Sequence, residues 1–200
     1  MKVNIFRVYG NEADVAAFAR MSRGGGESSE KKDAILCNSL LVREHGTPFE
    51  IASIVWEITA PRDVADQLLR YRETTPNVMS LRVCAPPPVD ECEPCERGWY
   101  KTCLDEYERR LAVGYSREEA RKCLPLSTPT RFYWSTNLRE LEHIFEQRIA
   151  LAAQSDTRRV VEQMHREAVR LFPNCFHSVV YHYEPLNEED GDGKCSSELI

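Results

Sequence analysis

Apolar and polar positions change period several times along the chain, and each change predicts an element. Met1 to Tyr9 alternates loosely and stops at Gly10-Asn11, a strand followed by a turn. Glu12 to Ser22 carries Val15, Phe18 and Ala19 at helical spacing. Lys31 to Arg43 does the same with Ile35, Leu36, Leu40 and Val42, so two helices are predicted around the loop Gly24-Gly25-Gly26. Ile51 to Thr59 sets Ile54, Trp56 and Ile58 against Val55 and Glu57, the strongest strand pattern in the sequence. Pro61 then opens a helix with Val64 and Leu68 on its buried face, and Gln67 and Arg70, three residues apart on it, can reach one ligand.

Further on, Val83 to Arg97 holds Pro86-Pro87-Pro88, acids and a Cys-x-x-Cys, which predicts an exposed irregular excursion. Helix resumes from Cys103 to Val113 through Leu104, Tyr107 and Leu111 and stops at Gly114. Ser116-Arg117-Glu118-Glu119 is a capping box for a short helix that Pro125 ends. Asn137-Leu138-Arg139-Glu140 caps the last long helical element, which runs to about Phe172 with a break near Ser155. The acidic stretch 186–200 is expected to be a disordered tail to a single domain over 1–185.

A length of 200 residues with 42% hydrophobic content fits one domain with a real core. The net charge of -6 argues against a general binder of nucleic-acid polymers, so cationic groups must be concentrated locally to hold an anion. No run is long enough to cross a bilayer and the N-terminus lacks a signal-peptide core, which leads to the expectation of a soluble, cytoplasmic protein without a membrane partner. Eight cysteines in such a chain are expected to be reduced thiols. Cys92 and Cys95, flanked by Cys84 and Cys103, could wrap a zinc ion, but the outer spacings are loose and no histidine helps, so no metal is assigned.

Cations gather in two places. The segment Gln67 to Arg82 brings Arg70, Arg72 and Arg82 together with Asn77 and Ser80 at a predicted helix end, a density of fixed donors suited to an anionic, hydrogen-bonding ligand or to a solvated charged turn. Arg148 and Arg158 fall on the apolar stripe of the last element, where a charge must snorkel or find a partner. Together with Arg131 they make a case for a buried anionic ligand.

These segments resemble the flavin-dependent thymidylate synthases. Arg70-Tyr71-Arg72 followed by Ser80 and Arg82 is similar to that family's Arg-His-Arg motif and its following serine and arginine. His45-Gly46-Thr47-Pro48-Phe49-Glu50, Glu119 to Pro125, Thr130 to Asn137, and Arg148 with Ala153-Gln154 and Arg158 resemble further family segments in the same order. The resemblance covers about residues 15–180 and implies an α+β fold of helices around a twisted antiparallel or mixed sheet, assembled as a homotetramer. It implies FAD as cofactor, NADPH as reductant, methylenetetrahydrofolate as carbon donor, and a pyrimidine nucleotide monophosphate as substrate. Thr47, Glu50, Arg70, Arg72 and Arg148 would then hold the flavin. Gln67, Ser80, Arg82, Arg131 and Arg158 would hold the nucleotide, with Arg158 also stabilising charge on the pyrimidine ring as the catalytic residue.

The family's central histidine is Tyr71 here, and Thr75, Val78, Leu81, Val83 and Ala152 depart from its usual residues. Buried arginines without ligands would be costly, so their retention favours an altered substrate over lost activity. The expectation is a C5-methylase of UMP and/or dUMP from nucleoside-antibiotic biosynthesis. The alternatives are a dUMP-specific synthase and a non-catalytic flavin- or nucleotide-binding homologue.

Overall fold

The computed structural model describes residues 1–178, and the expected acidic tail lies outside them. Four strands form one antiparallel sheet in the order β1 (Lys2–Tyr9), β2 (Ser53–Pro61), β4 (Pro129–Asn137), β3 (Thr74–Val78). Seven α-helices accompany it among the described residues: α1 (Glu12–Met21), α2 (Glu30–Val42), α3 (Arg62–Leu68), α4 (Arg97–Ala112), α5 (Arg117–Ala120), α6 (Leu138–Arg148) and α7 (Ser155–Leu171). The expected α+β fold is what the chain adopts.

The sheet's inner face follows from strict alternation. Ile54, Trp56 and Ile58 on β2 and Phe132, Trp134 and Thr136 on β4 are buried. Register brings Trp56 opposite Trp134, and the Trp56 indole donates to Thr136 Oγ1 at 3.1 Å, so the one polar handle of that ring is satisfied. Helices α6 and α7 cover this face with Leu141, Ile144, Phe145, Val160, Val161, Met164 and Ala168.

Several sequence expectations change in detail. Strands β3 and β4 carry no strand prediction above. Pro76 cannot donate to a ladder, which suits β3 only because it is an edge strand paired solely with β4. The helix opened by Pro61 ends at Leu68, before Arg70, because the Thr74 hydroxyl donates to the Tyr71 carbonyl at 2.7 Å and turns the chain into β3. Gln67 and Arg70 therefore do not share a helix face. Helix α4 begins at Arg97, six positions before Cys103, and two single turns, Val89–Glu91 and Pro94–Glu96, punctuate the excursion. The last element is two helices, with the break before Ser155 as expected. On α2 the buried residues are Asp33 and Cys37, while Ile35 and Val42 are 61% and 70% exposed.

Candidate functional site

A groove of about 810 Å³ lies between α1, the triple-glycine loop, α2 and the turn Thr47–Ile51. Phe18, Leu36, Leu40 and Pro48 form an apolar wall, and Arg20, Arg23 and Lys32 give it a cationic rim. Gly24 and Gly25 have φ of +80° and +96°, which side chains rarely adopt, so this loop can bend back over the groove. Arg20 is fixed from behind. Its Nη2 donates to Asp33 Oδ1 at 2.5 Å, and Ser28 Oγ donates to Asp33 Oδ2 at 2.6 Å. The Ser28 hydroxyl, followed by Arg20, holds the Asp33 carboxyl below the usual range. Arg20 Nη1 is buried with no partner among the described residues. An apolar wall, an arginine with a spare buried donor and a glycine loop suit a planar aromatic group joined to phosphate, which is the chemistry of a flavin nucleotide.

Of the residues expected to hold flavin, Thr47 borders this groove. Glu50 is ion-paired to Arg139 Nη1 at 2.5 Å. Arg148 Nε donates to the Tyr71 hydroxyl at 2.9 Å, and its guanidinium carbon lies 5.5 Å from the Tyr71 ring centroid. Arg70 and Arg72 are exposed and have no hydrogen-bond or ionic partner among the described residues.

A second cluster forms where α3 meets the start of α7. Gln67 Nε2 donates to Gln154 Oε1, Gln154 Nε2 donates to Asp63 Oδ2 at 2.8 Å, and the Arg158 amide donates to the Gln154 carbonyl at 2.9 Å. Gln67, through its side chain, and Arg158, through its backbone amide, thus meet the same residue. Arg158 Nη1 donates to the carbonyls of Leu151 and Ala153 at 3.0 and 3.2 Å, closing the turn between α6 and α7. Its Nε is buried with no partner among the described residues.

Ser80, Arg82 and Arg131 lie along the far edge of the sheet. The Met79 amide donates to the Arg131 carbonyl at 2.9 Å, which holds the segment after β3 against β4. Here the expectation of buried arginines is corrected. The side chains of Arg82 and Arg131 are 62% and 54% exposed and pair with Glu118 and Glu91. Arg82 lies in the loop after the edge strand and Arg131 on the outward-facing set of β4, so of the arginines expected at the site Arg148 and Arg158 alone are half-buried.

Among the cysteines of the excursion, Cys92 and Cys103 are buried and Cys84 and Cys95 are exposed. The Cys92 thiol faces the Ser127 carbonyl at 3.8 Å. Sequence reasoning missed Arg20, Asp33 and Gln154's bridging role. The available signal was Asp33 one turn before Cys37, an acid on a face that is otherwise apolar.

Comparison with known proteins bears on this arrangement. A family model described as thymidylate synthase complementing protein matches residues 5–174. The chain belongs to that family. Relatives of this family member include the flavin-dependent thymidylate synthase of Thermus thermophilus, 29% identical over 81% of this chain and 70% of the relative. That of Ehrlichia ruminantium is 30% identical over 81% of this chain and 64% of its own length. Among solved structures, the UMP/dUMP methylase PolB of Streptomyces cacaoi bound with 5-Br dUMP superimposes with a TM-score of 0.76 at 24% identity, covering 87% of this chain and 92% of that one. The same methylase bound with 5-Br UMP gives 0.71 at 25% identity, over 87% and 91%. These likenesses agree with the observed fold, and membership places the chain in a family of enzymes.

Proposed function

We propose that this family member is a flavin-dependent C5-methylase of a uridine monophosphate, UMP and/or dUMP, in nucleoside-antibiotic biosynthesis. FAD is the cofactor, methylenetetrahydrofolate the carbon donor and NADPH the reductant, and the working form is a homotetramer in the cytoplasm. The observation that carries the reading is the Gln67–Gln154–Arg158 cluster, a set of amide and guanidinium groups with a buried Arg158 Nε that has no partner among the described residues. Such groups match the donor and acceptor edge of a uracil ring.

In this reading Gln67 and Gln154 orient the base and Arg158 lies against it. A fixed guanidinium in a partly dry site stabilises negative charge that develops on the ring during attack at the methylene carbon. The carbonyls of Ala150, Leu151 and Ala153 preorganise it, so little reorganisation is needed when charge appears. Ser80, Arg82 and Arg131 bind the phosphate, and the exchange of Glu118 and Glu91 for phosphate releases those acids to solvent. Thr47, Glu50, Arg70, Arg72 and Arg148 hold the flavin, with Arg20 contributing a spare donor in the groove. FAD when bound supplies the hydride that completes the methyl group. The exposed Arg70 and Arg72 fit a ligand shared between subunits.

The Streptomyces cacaoi methylase has been captured with both a ribo- and a deoxyribonucleotide analogue, which supports acceptance of either sugar. Anaerobic incubation of the purified protein with FAD, NADPH and methylenetetrahydrofolate, with UMP and dUMP in separate tubes, tests the reading by mass spectrometry of the nucleotide. Gain of one methylene with UMP, with or without gain in the dUMP tube, is expected. Turnover confined to dUMP establishes the ordinary synthase instead, and bound flavin without methylation establishes a non-catalytic homologue.

A further inference from the structure

Tyr71 occupies the centre of the Arg70-Tyr71-Arg72 segment, and its side chain is turned inward while both neighbours are exposed. Its ring meets His143 edge-on at 5.9 Å and Trp134 at 6.5 Å, so β4 and α6 fix its plane. Its hydroxyl accepts the Arg148 Nε proton at 2.9 Å and gives its own proton toward Gln147 Oε1 at 3.4 Å. The guanidinium lies over the same ring. This grip uses only Nε, and neither Nη1 nor Nη2 of Arg148 has a partner among the described residues.

We propose that Tyr71 is the positioning residue of Arg148, clamping the guanidinium by its hydroxyl and ring so that both terminal nitrogens stay directed at the bound flavin. The inference rests on the reading that Arg148 contacts flavin. A phenol suits this task better than an imidazole. Burial raises the Tyr71 phenol above its ordinary value, with Arg148 acting in the opposite direction, so the clamp remains neutral and does not repel the cation at any physiological pH. An imidazole at this place would titrate between about pH 5 and 8 and, once protonated, would push Arg148 away. The charged and titratable groups facing the position are Arg148, His143 and Glu140, all on α6, and Trp134 of β4 brings none.

The test is titration of the full-length protein with FAD, followed by flavin fluorescence and without turnover, for wild type, Tyr71→Phe, Arg148→Ala, the double variant and Tyr71→His. Tyr71→Phe keeps the ring and is expected to weaken FAD binding on the order of tenfold, the worth of one hydrogen bond to a charged group. Arg148→Ala should weaken it at least as much, and Tyr71→Phe should then cost nothing further. FAD affinity of Tyr71→His relative to wild type should fall as pH drops through the imidazole range, with His143 common to both proteins. Wild-type affinity in Tyr71→Phe, or full additivity in the double variant, overturns the positioning role while leaving the Arg148 contact standing. Wild-type affinity in Arg148→Ala overturns the contact itself and the clamp with it.

Discussion

Arg131 on β4 is held by Glu91, which the proline-rich excursion carries across the sheet edge, with Nε donating to Oε2 at 3.2 Å and Nη2 to Oε1. The acid is the less exposed partner, its side chain 19% exposed against 54% for the arginine. A phosphate arriving at Arg131 must displace a carboxylate that is already in place. Glu91→Gln removes that competition, and we expect nucleotide affinity to tighten by roughly two- to fivefold, the range of a partly exposed ion pair. Calorimetric titration with UMP and dUMP measures it, and weaker binding would contradict the phosphate assignment.

The proposed function gives Arg158 two purposes, which activity and melting of one variant read separately. Arg158→Ala removes both the group proposed to face the base and the closure of the turn at Leu151 and Ala153. We expect turnover to fall by at least about a hundredfold, as for loss of a preorganised electrostatic group, while the melting temperature drops by only a few degrees. Retained activity in a folded variant would remove its assigned role.

Asp33 links the stability of the groove wall to pH. Its folded carboxyl titrates below the ordinary value because Ser28 and Arg20 favour the charged form. The stabilisation is therefore fully present above the unfolded pKa near 3.9 and is lost as pH falls through the lower folded value. Asp33→Asn should cost on the order of 2 kcal/mol at neutral pH, and the gap from wild type should close in acid below that range. Thermal melts across pH read it, and a constant gap would show that the pair is not responsible.

Gly46 leaves room for the Arg139 side chain. A Cβ there would stand 2.8 Å from Arg139 Nε, the side chain that pairs with Glu50. Gly46→Ala should displace Arg139 and disturb Glu50, lowering FAD affinity several-fold while changing stability by less than about 1 kcal/mol, as for a surface ion pair. Equal FAD affinity would show that Glu50 does not depend on this pairing.

Much of the architecture was legible because periodicity reports burial. The alternation in β2, the caps at Ser116 and Asn137, and the break at Ser155 all act over a few residues. The motif around Arg70, Ser80 and Arg82 likewise led to the right family. Strand β3 escaped because Pro76 and Asn77 disfavour a strand locally, and only pairing with β4 stabilises them.

The sequence by itself determined which segments are helical, that a strand runs through Trp56, and that arginines gather in a few places. Tertiary structure alone decided which of those charges are withdrawn from water and what each one meets. Arg148 finds a neutral phenol from a segment 77 positions away, Arg158 finds backbone carbonyls in its own turn, and Arg131 finds a carboxylate 40 positions away. Hydrogen bonds and ion pairs act over a few ångströms in space, whereas the patterns readable along a chain arise from neighbours within a turn of helix or a strand.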